Sequence, residues 1–129
     1  CVQDVGKAIN PTLVEGQMQG GSAQGIGIAL SEELIYDAEG RLQNPSLLDY
    51  RLMTAIDLPP IETVIVEVPS PYGPFGAKGA GEPPIVPGPA ALANAIRDAV
   101  GCDLTDLPMT PEKIVAALQS QPSTAPRPI

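Results

Sequence analysis

"LVEGQMQGGSAQGIGIALS" (residues 13–31) decides how this chain is built. Its apolar and small residues recur at helical spacing, yet Gly16, Gly20, Gly21, Gly25 and Gly27 all lie inside it. Each glycine in a helix interior costs about 0.5–1 kcal/mol relative to alanine. The usual reason for such a cost is the close approach of another backbone or of a ligand. The other reading is a glycine loop followed by a shorter helix. Gln17 and Gln24 are seven residues apart, so on a helix they share a face to within about 20°. Gly20 and Gly21 lie between them on that face. A bare face flanked by amides suits something flat and polar, because an amide both donates and accepts. The same pattern also fits helix packing through glycine, with the glutamines in solvent.

Outward from this segment, "CVQDVG" reads as a short strand ending at Gly6, and "INP" as a turn. "EELIYDAEGRLQN" predicts a β-hairpin, with residues 34–36 and 41–43 as its arms and Gly40 suited to positive φ. Residues 44–61, with Pro45, Pro59 and Pro60, read as an extended connection. "TVIVEV" (63–68) is the clearest strand by its β-branched content. "GPAALANAIRDAVG" predicts a helix with Pro89 in its first turn, Leu92, Ile96 and Val100 on one face, and Gly101 as the C-terminal cap. "MTPEKIVAALQ" predicts another, with Thr110 as N-cap and Pro111 at the first helical position. Strands and helices mix without regular βαβ alternation, so the fold class is α+β. Residues 1–119 form the folded part, and 120–129 ("SQPSTAPRPI") read as a disordered tail.

The chain has 129 residues, with 15 Asp plus Glu against 7 Lys plus Arg and a formal net charge of −8. This acidity argues against nucleic acid, which needs clustered basic side chains, and against adhesion to an anionic membrane. No basic and apolar leader and no membrane-length apolar run is visible, and Cys1 and Cys102 read as reduced thiols. A cytoplasmic location is therefore expected. The sequence opens at Cys1 inside a strand, as a piece of a longer protein would. Histidine is absent. Acid–base chemistry would thus fall to a carboxylate, Lys or Tyr, and no metal-ligating set is expected from this chain. The hydrophobic fraction of 43% supports a small core that a larger partner surface would complete.

"GAKGAGEPP" (76–84) holds the candidate chemistry. Its glycines let backbone N–H groups approach an anion or ligand closely. The spacing is not that of a P-loop, and no dinucleotide fingerprint is present. Glu82 sits between Gly81 and Pro83, and the proline restricts its backbone. A carboxylate on a stiffened stalk beside a flexible approach suits a general base, although a solvated loop glutamate has the same sequence. Lys78 could pair with a nearby acid, while Asp37, Asp49 and Asp57 read as surface or turn acids.

The ordered run "DVGKAINPTLVEGQMQGGSAQGIGIAL…PSPYGPFGAKGAGEPPIVPGPAALANAIRDAVG" resembles the C-terminal part of the molybdopterin-binding large subunit of the xanthine dehydrogenase/aldehyde oxidase family of molybdenum hydroxylases. The likeness extends from residue 1 to about residue 118. It implies that Glu82, in "GAGE", is the catalytic base that takes a proton from an Mo–OH group as its oxygen attacks an aldehyde or N-heterocycle, with hydride passing to a sulfido ligand. It implies that Gln17, in "EGQ", contacts the molybdenum cofactor. The backbone of Lys78, Gly79, Ala80 and Gly81 would lie close to the metal, and Gln24, in "QGIG", is a further candidate contact. The cofactor would be molybdenum–molybdopterin, in its cytosine dinucleotide or mononucleotide form. The implied partners are the rest of the large subunit, iron–sulfur and FAD modules on other domains or subunits, and a small-molecule substrate. Two isolated cysteines cannot ligate iron–sulfur clusters, so the chain alone is expected to be inactive, and loop 73–84 is expected to lose order without the cofactor and the other walls. A non-catalytic interaction module with the same fold is the alternative.

Overall fold

The computed structural model describes residues 1–120. In chain order it contains β1 (Val2–Asp4), α1 (Pro11–Leu30), β2 (Val64–Val66), a 3₁₀ turn (Pro74–Gly76), α2 (Pro87–Val100) and α3 (Pro111–Ser120). The class is α+β. The expected tail lies outside the described residues, apart from Ser120, which ends α3.

The glycine-rich segment is one continuous helix. It starts two residues earlier than its apolar pattern suggests, because Asn10 caps it and Pro11 opens it. The Asn10 side chain accepts the Leu13 N–H at 3.2 Å, and proline fits the first turn because its missing N–H would be unpaired there. One face of α1 is buried through Met18, Gly21, Gly25 and Ala29, and Gly27, on the opposite side, is covered by the Glu32 side chain. Ala29 O accepts the Met109 N–H at 2.7 Å, which ties the entry to α3 onto this helix.

β1 and β2 pair in parallel, Val2 with Val64, Gln3 with Ile65 and Asp4 with Val66. The expected strand over 63–68 is shorter in the structure because its distal end serves side chains. Asp4 Oδ1 accepts the Val68 N–H at 3.0 Å, and Glu67 Oε1 accepts the Ala8 N–H at 2.7 Å. The expected hairpin is also reduced, to one antiparallel bridge between Tyr36 and Leu42. Its turn is organised by Asp37, whose Oδ1 accepts the Glu39 and Arg41 N–H groups at 3.0 and 2.8 Å. Gly40 adopts the positive φ expected of it, 78°. Leu34, Ile35 and Tyr36 stay exposed, so no sheet face is available to extend the pairing.

α2 ends as its sequence predicts, with Gly101 at φ 78° and its N–H donated to Arg97 O. It packs against α1 where Gly25 meets Gly88. A Cβ on Gly25 would lie 2.7 Å from Ile85 O, and one on Gly88 would lie 2.8 Å from Gly25 C. The core is small: Val5, Ala8, Met18, Ala29, Cys102 and Met109 are buried, whereas Leu48 and Ile56 are 95% and 96% exposed. Parallel sheets are normally covered on both faces, yet Val2, Val64 and Val66 are exposed.

Candidate active site

The site is built where the 76–84 loop crosses β1 and reaches α1. β1 ends at a left-handed glycine, Gly6, with φ 68°. A side chain there would also collide with the loop, since a Cβ would lie 2.1 Å from Gly76 O. The loop is then fastened residue by residue. Lys78 N–H donates to Val5 O at 2.9 Å, and Gln3 Nε2 donates to Gly79 O at 2.8 Å. Lys78 Nζ pairs with Asp4 Oδ2, so this lysine has the acidic partner its sequence position allows. Asp4 Oδ1 also accepts the Gly6 N–H at 2.9 Å. The Lys78 ammonium, followed by the Gly6 and Val68 amides, holds the Asp4 carboxyl down at about 2.

Beyond Gly79 the loop turns onto α1. A Cβ on Gly81 would lie 3.1 Å from Gln17 Oε1, and one on Gly21 would lie 3.1 Å from Gly81 O and 2.8 Å from Pro84 Cβ. Pro84 is buried. Glu82 O accepts the Ile85 N–H at 2.9 Å, closing a four-residue turn through Pro83 and Pro84. The two prolines therefore brace Glu82, one from within the turn and one by packing on the helix. The Glu82 side chain is exposed.

The loop separates two cavities. Gly79, Gly81, Glu82, Pro83, Val86 and Pro87 line an open one of about 730 Å³. On the other side, Gln17, Ala77, Lys78 and Ala80 contribute to a cavity of about 210 Å³. From Lys78 to Gly81 alternate residues thus face opposite sides, as in extended backbone. The structure brings Gln17, Lys78, Gly79, Ala80, Gly81 and Glu82 together along this wall. It does not bring Gln24 there: that side chain is exposed, lines neither cavity and lies about 10 Å of helix rise from Gln17. Gln3 and Asp4 were missed by sequence reasoning. The signal was "QDVG", a carboxylate two residues before a turn glycine, in a chain whose glycine loop contains a lysine.

The exposed backbone fits a bulky polar cofactor. Gly79 on the loop has nothing within 4 Å of where a Cβ would be, and its bare backbone opens onto the larger cavity. Gly20 on α1 borders a different cavity, with Ala55, Leu58, Pro59, Pro60 and Ile61. Among the described residues no group of three or more His, Cys, Asp or Glu could hold a metal ion. No described helix is long and apolar enough to cross a membrane.

Residues 1–59 match the family model of the molybdopterin cofactor-binding domain. The chain is 47% identical over 114 residues to the putative xanthine dehydrogenase molybdenum-binding subunit of Escherichia coli K12, covering 88% of this chain and 15% of that protein. It is 48% identical over 119 residues to the nicotine 6-hydroxylase large subunit of Paenarthrobacter nicotinovorans, covering 90% of this chain and 15% of that protein. Among solved structures, quinoline 2-oxidoreductase from Pseudomonas putida 86 superposes with a TM-score of 0.85 at 42% identity, covering 94% of this chain and 16% of that one. The chain spans about 15% of the length of the curated relatives it matches. With several relatives sharing more than two fifths of its residues across nearly its whole length, the chain belongs to the xanthine dehydrogenase/aldehyde oxidase family of molybdopterin-binding large subunits.

Proposed function

We propose that this chain forms one wall of the active site of a molybdenum hydroxylase large subunit and that Glu82 is its proton acceptor. The observation that carries the reading is the placement of Glu82: an exposed carboxylate on a proline-braced turn, lining an open cavity beside the bare backbone of Gly79 and Gly81. Gln17 and the backbone of Lys78, Gly79, Ala80 and Gly81 would hold molybdenum–molybdopterin, in its dinucleotide or mononucleotide form. When bound, this group supplies the oxygen-transfer and two-electron chemistry of hydroxylation. The Gln17 amide would hydrogen-bond a polar edge of the group, and the glycines would let it rest against the main chain. Pro83, Val86 and Pro87 would shield the reacting carbon from water. A Glu82 carboxylate oxygen takes a proton from the oxygen nucleophile as that oxygen attacks an electron-poor carbon.

The substrate would be an aldehyde or an N-heterocycle; two of the relatives above are named for the N-heterocycles nicotine and quinoline. Electrons would leave through iron–sulfur and FAD modules on other domains or subunits. The chain alone would be inactive, because the rest of the large subunit supplies the remaining walls.

The test uses the full-length large subunit with its partners. Glu82→Gln is expected to lower kcat by about 10²–10⁴-fold while molybdenum and pterin content stay at the wild-type level. Full activity in that variant would refute the assignment. A wild-type complex that never carries molybdopterin would instead favour a non-catalytic interaction module.

A further inference from the structure

The loop before Glu82 is held by β1 through contacts that converge on one carboxylate. Asp4 Oδ1 accepts backbone N–H groups from two separate segments, Gly6 at 2.9 Å and Val68 at 3.0 Å. Those bonds fix the carboxylate between the end of β1 and the exit of β2, so Asp4 is not free to follow a moving partner. Its other oxygen takes Lys78 Nζ. Lys78 is also held by its main chain, through Val5 O, and the next residue, Gly79, is held by Gln3. The following tie is at Gly81 and Pro84, which lie against α1. Glu82 therefore stands between the two α1 contacts at Gly81 and Pro84, three residues beyond the point where Gly79 is tied to β1.

We propose that Asp4 is a positioning residue. Through Lys78 it fixes the height of the 76–81 loop above β1, and with it the place of the Glu82 carboxylate. This rests on the reading of Glu82 as the proton acceptor. The side chains of Lys78 and Asp4 are 37% and 35% exposed, and a pair so open to solvent contributes little to global stability. Its effect is local, because it joins a loop with no regular secondary structure to the strand beside it. A small displacement of a reacting group is enough to cost rate.

The experiment uses the cofactor-loaded large subunit. Lys78→Met removes the tie while leaving the Gly6 and Val68 bonds to Asp4 in place. Amide hydrogen exchange across residues 77–82 is expected to speed up about fivefold, with exchange in α1 unchanged. kcat is expected to fall about tenfold with KM within about twofold of wild type. Lys78→Arg should restore both readouts, and Asp4→Asn should loosen the same peptide. Wild-type exchange across 77–82 in both Lys78→Met and Asp4→Asn would overturn the proposal, as would a raised KM at unchanged kcat. The two readings fail separately. Full activity in Glu82→Gln would sink the proton-acceptor reading and leave the loosened loop of Lys78→Met to be seen, whereas an inactive Glu82→Gln beside an unaltered loop would sink only the role of Asp4.

Discussion

The glycines of α1 fall into two sets that look alike in sequence and differ in their surroundings. Gly21 and Gly25 are buried where Pro84, Gly81, Ile85 and Gly88 press on the helix backbone. Gly16 and Gly20 lie on the same helix with nothing within 4 Å of a would-be Cβ. Close packing inside the chain explains the first set and leaves the second with no internal reason. In an isolated helix the open glycines only cost stability. Gly20 borders a cavity lined by Ala23 and the 55–61 segment, away from the Glu82 loop. Gly81 and Gly79 repeat the division on the loop: Gly81 abuts Gln17, and Gly79 is open.

Substitution should separate the two sets. The largest stability effect is expected at Gly25→Ala, whose new methyl would lie 2.7 Å from a backbone oxygen. Loss of about 1–3 kcal/mol is expected from such overpacking, read as a lower urea midpoint for the chain. Gly88→Ala meets the same contact from the other side and should cost a similar amount, and the two together should not be additive. Gly16→Ala should act in the opposite direction, stabilising the isolated chain by about 0.5–1 kcal/mol. Equal destabilisation by Gly16→Ala and Gly25→Ala would erase the distinction.

The smallest effect is set by pH. The Asp4 carboxyl is held at about 2, against an ordinary value of 3.8. A carboxylate with a depressed folded-state value stabilises the fold above its unfolded value and loses that contribution as pH falls through the folded one. Loop anchoring by Asp4 should therefore be complete above about pH 4 and fade toward pH 2. Amide exchange at Lys78 and Gly79, corrected for its intrinsic pH dependence, should rise over that window in the wild type. In Asp4→Asn it should be fast throughout and flat. A wild-type profile that is flat from pH 4 to 2 would contradict the assignment. The same measurement bears on the expectation that loop 73–84 loses order without its cofactor, because the ties to Val5, Gln3 and Asp4 are all internal to the chain.

The helices were legible because their ends carry their own signals. Pro89 in the first turn of α2, Pro111 at the start of α3 and Gly101 closing α2 in the left-handed region were such signals, whereas Pro11 and Pro87, which open α1 and α2, were not read as starts. The strands were overread. β-branched content marked residues 63–68, but only three of them find a partner on β1, since strand length is set by the neighbour and not by propensity. The candidate site was legible in part. Glu82 and Gln17 could be named from their motifs, and the structure draws the loop of one onto the helix of the other. Gln24 shares the helical face of Gln17, yet period alone does not say how far the loop runs along that face. "QDVG" marks only the local bond from Gly6 to Asp4; the role of Asp4 was missed because its other two partners, Val68 and Lys78, are 64 and 74 residues away in sequence.

The central claim is that the open loop glycine, Gly79, faces the cofactor while the closed glycines face the chain itself. Gly79→Ala tests it most directly, with one variant measured in two settings. In the isolated chain, where the added methyl meets open space, it should raise the urea midpoint, in keeping with a gain of about 0.4–1 kcal/mol. In the full large subunit the same methyl should lower molybdenum and pterin content per subunit. A variant that is more stable alone and still binds its full complement of cofactor would contradict the account.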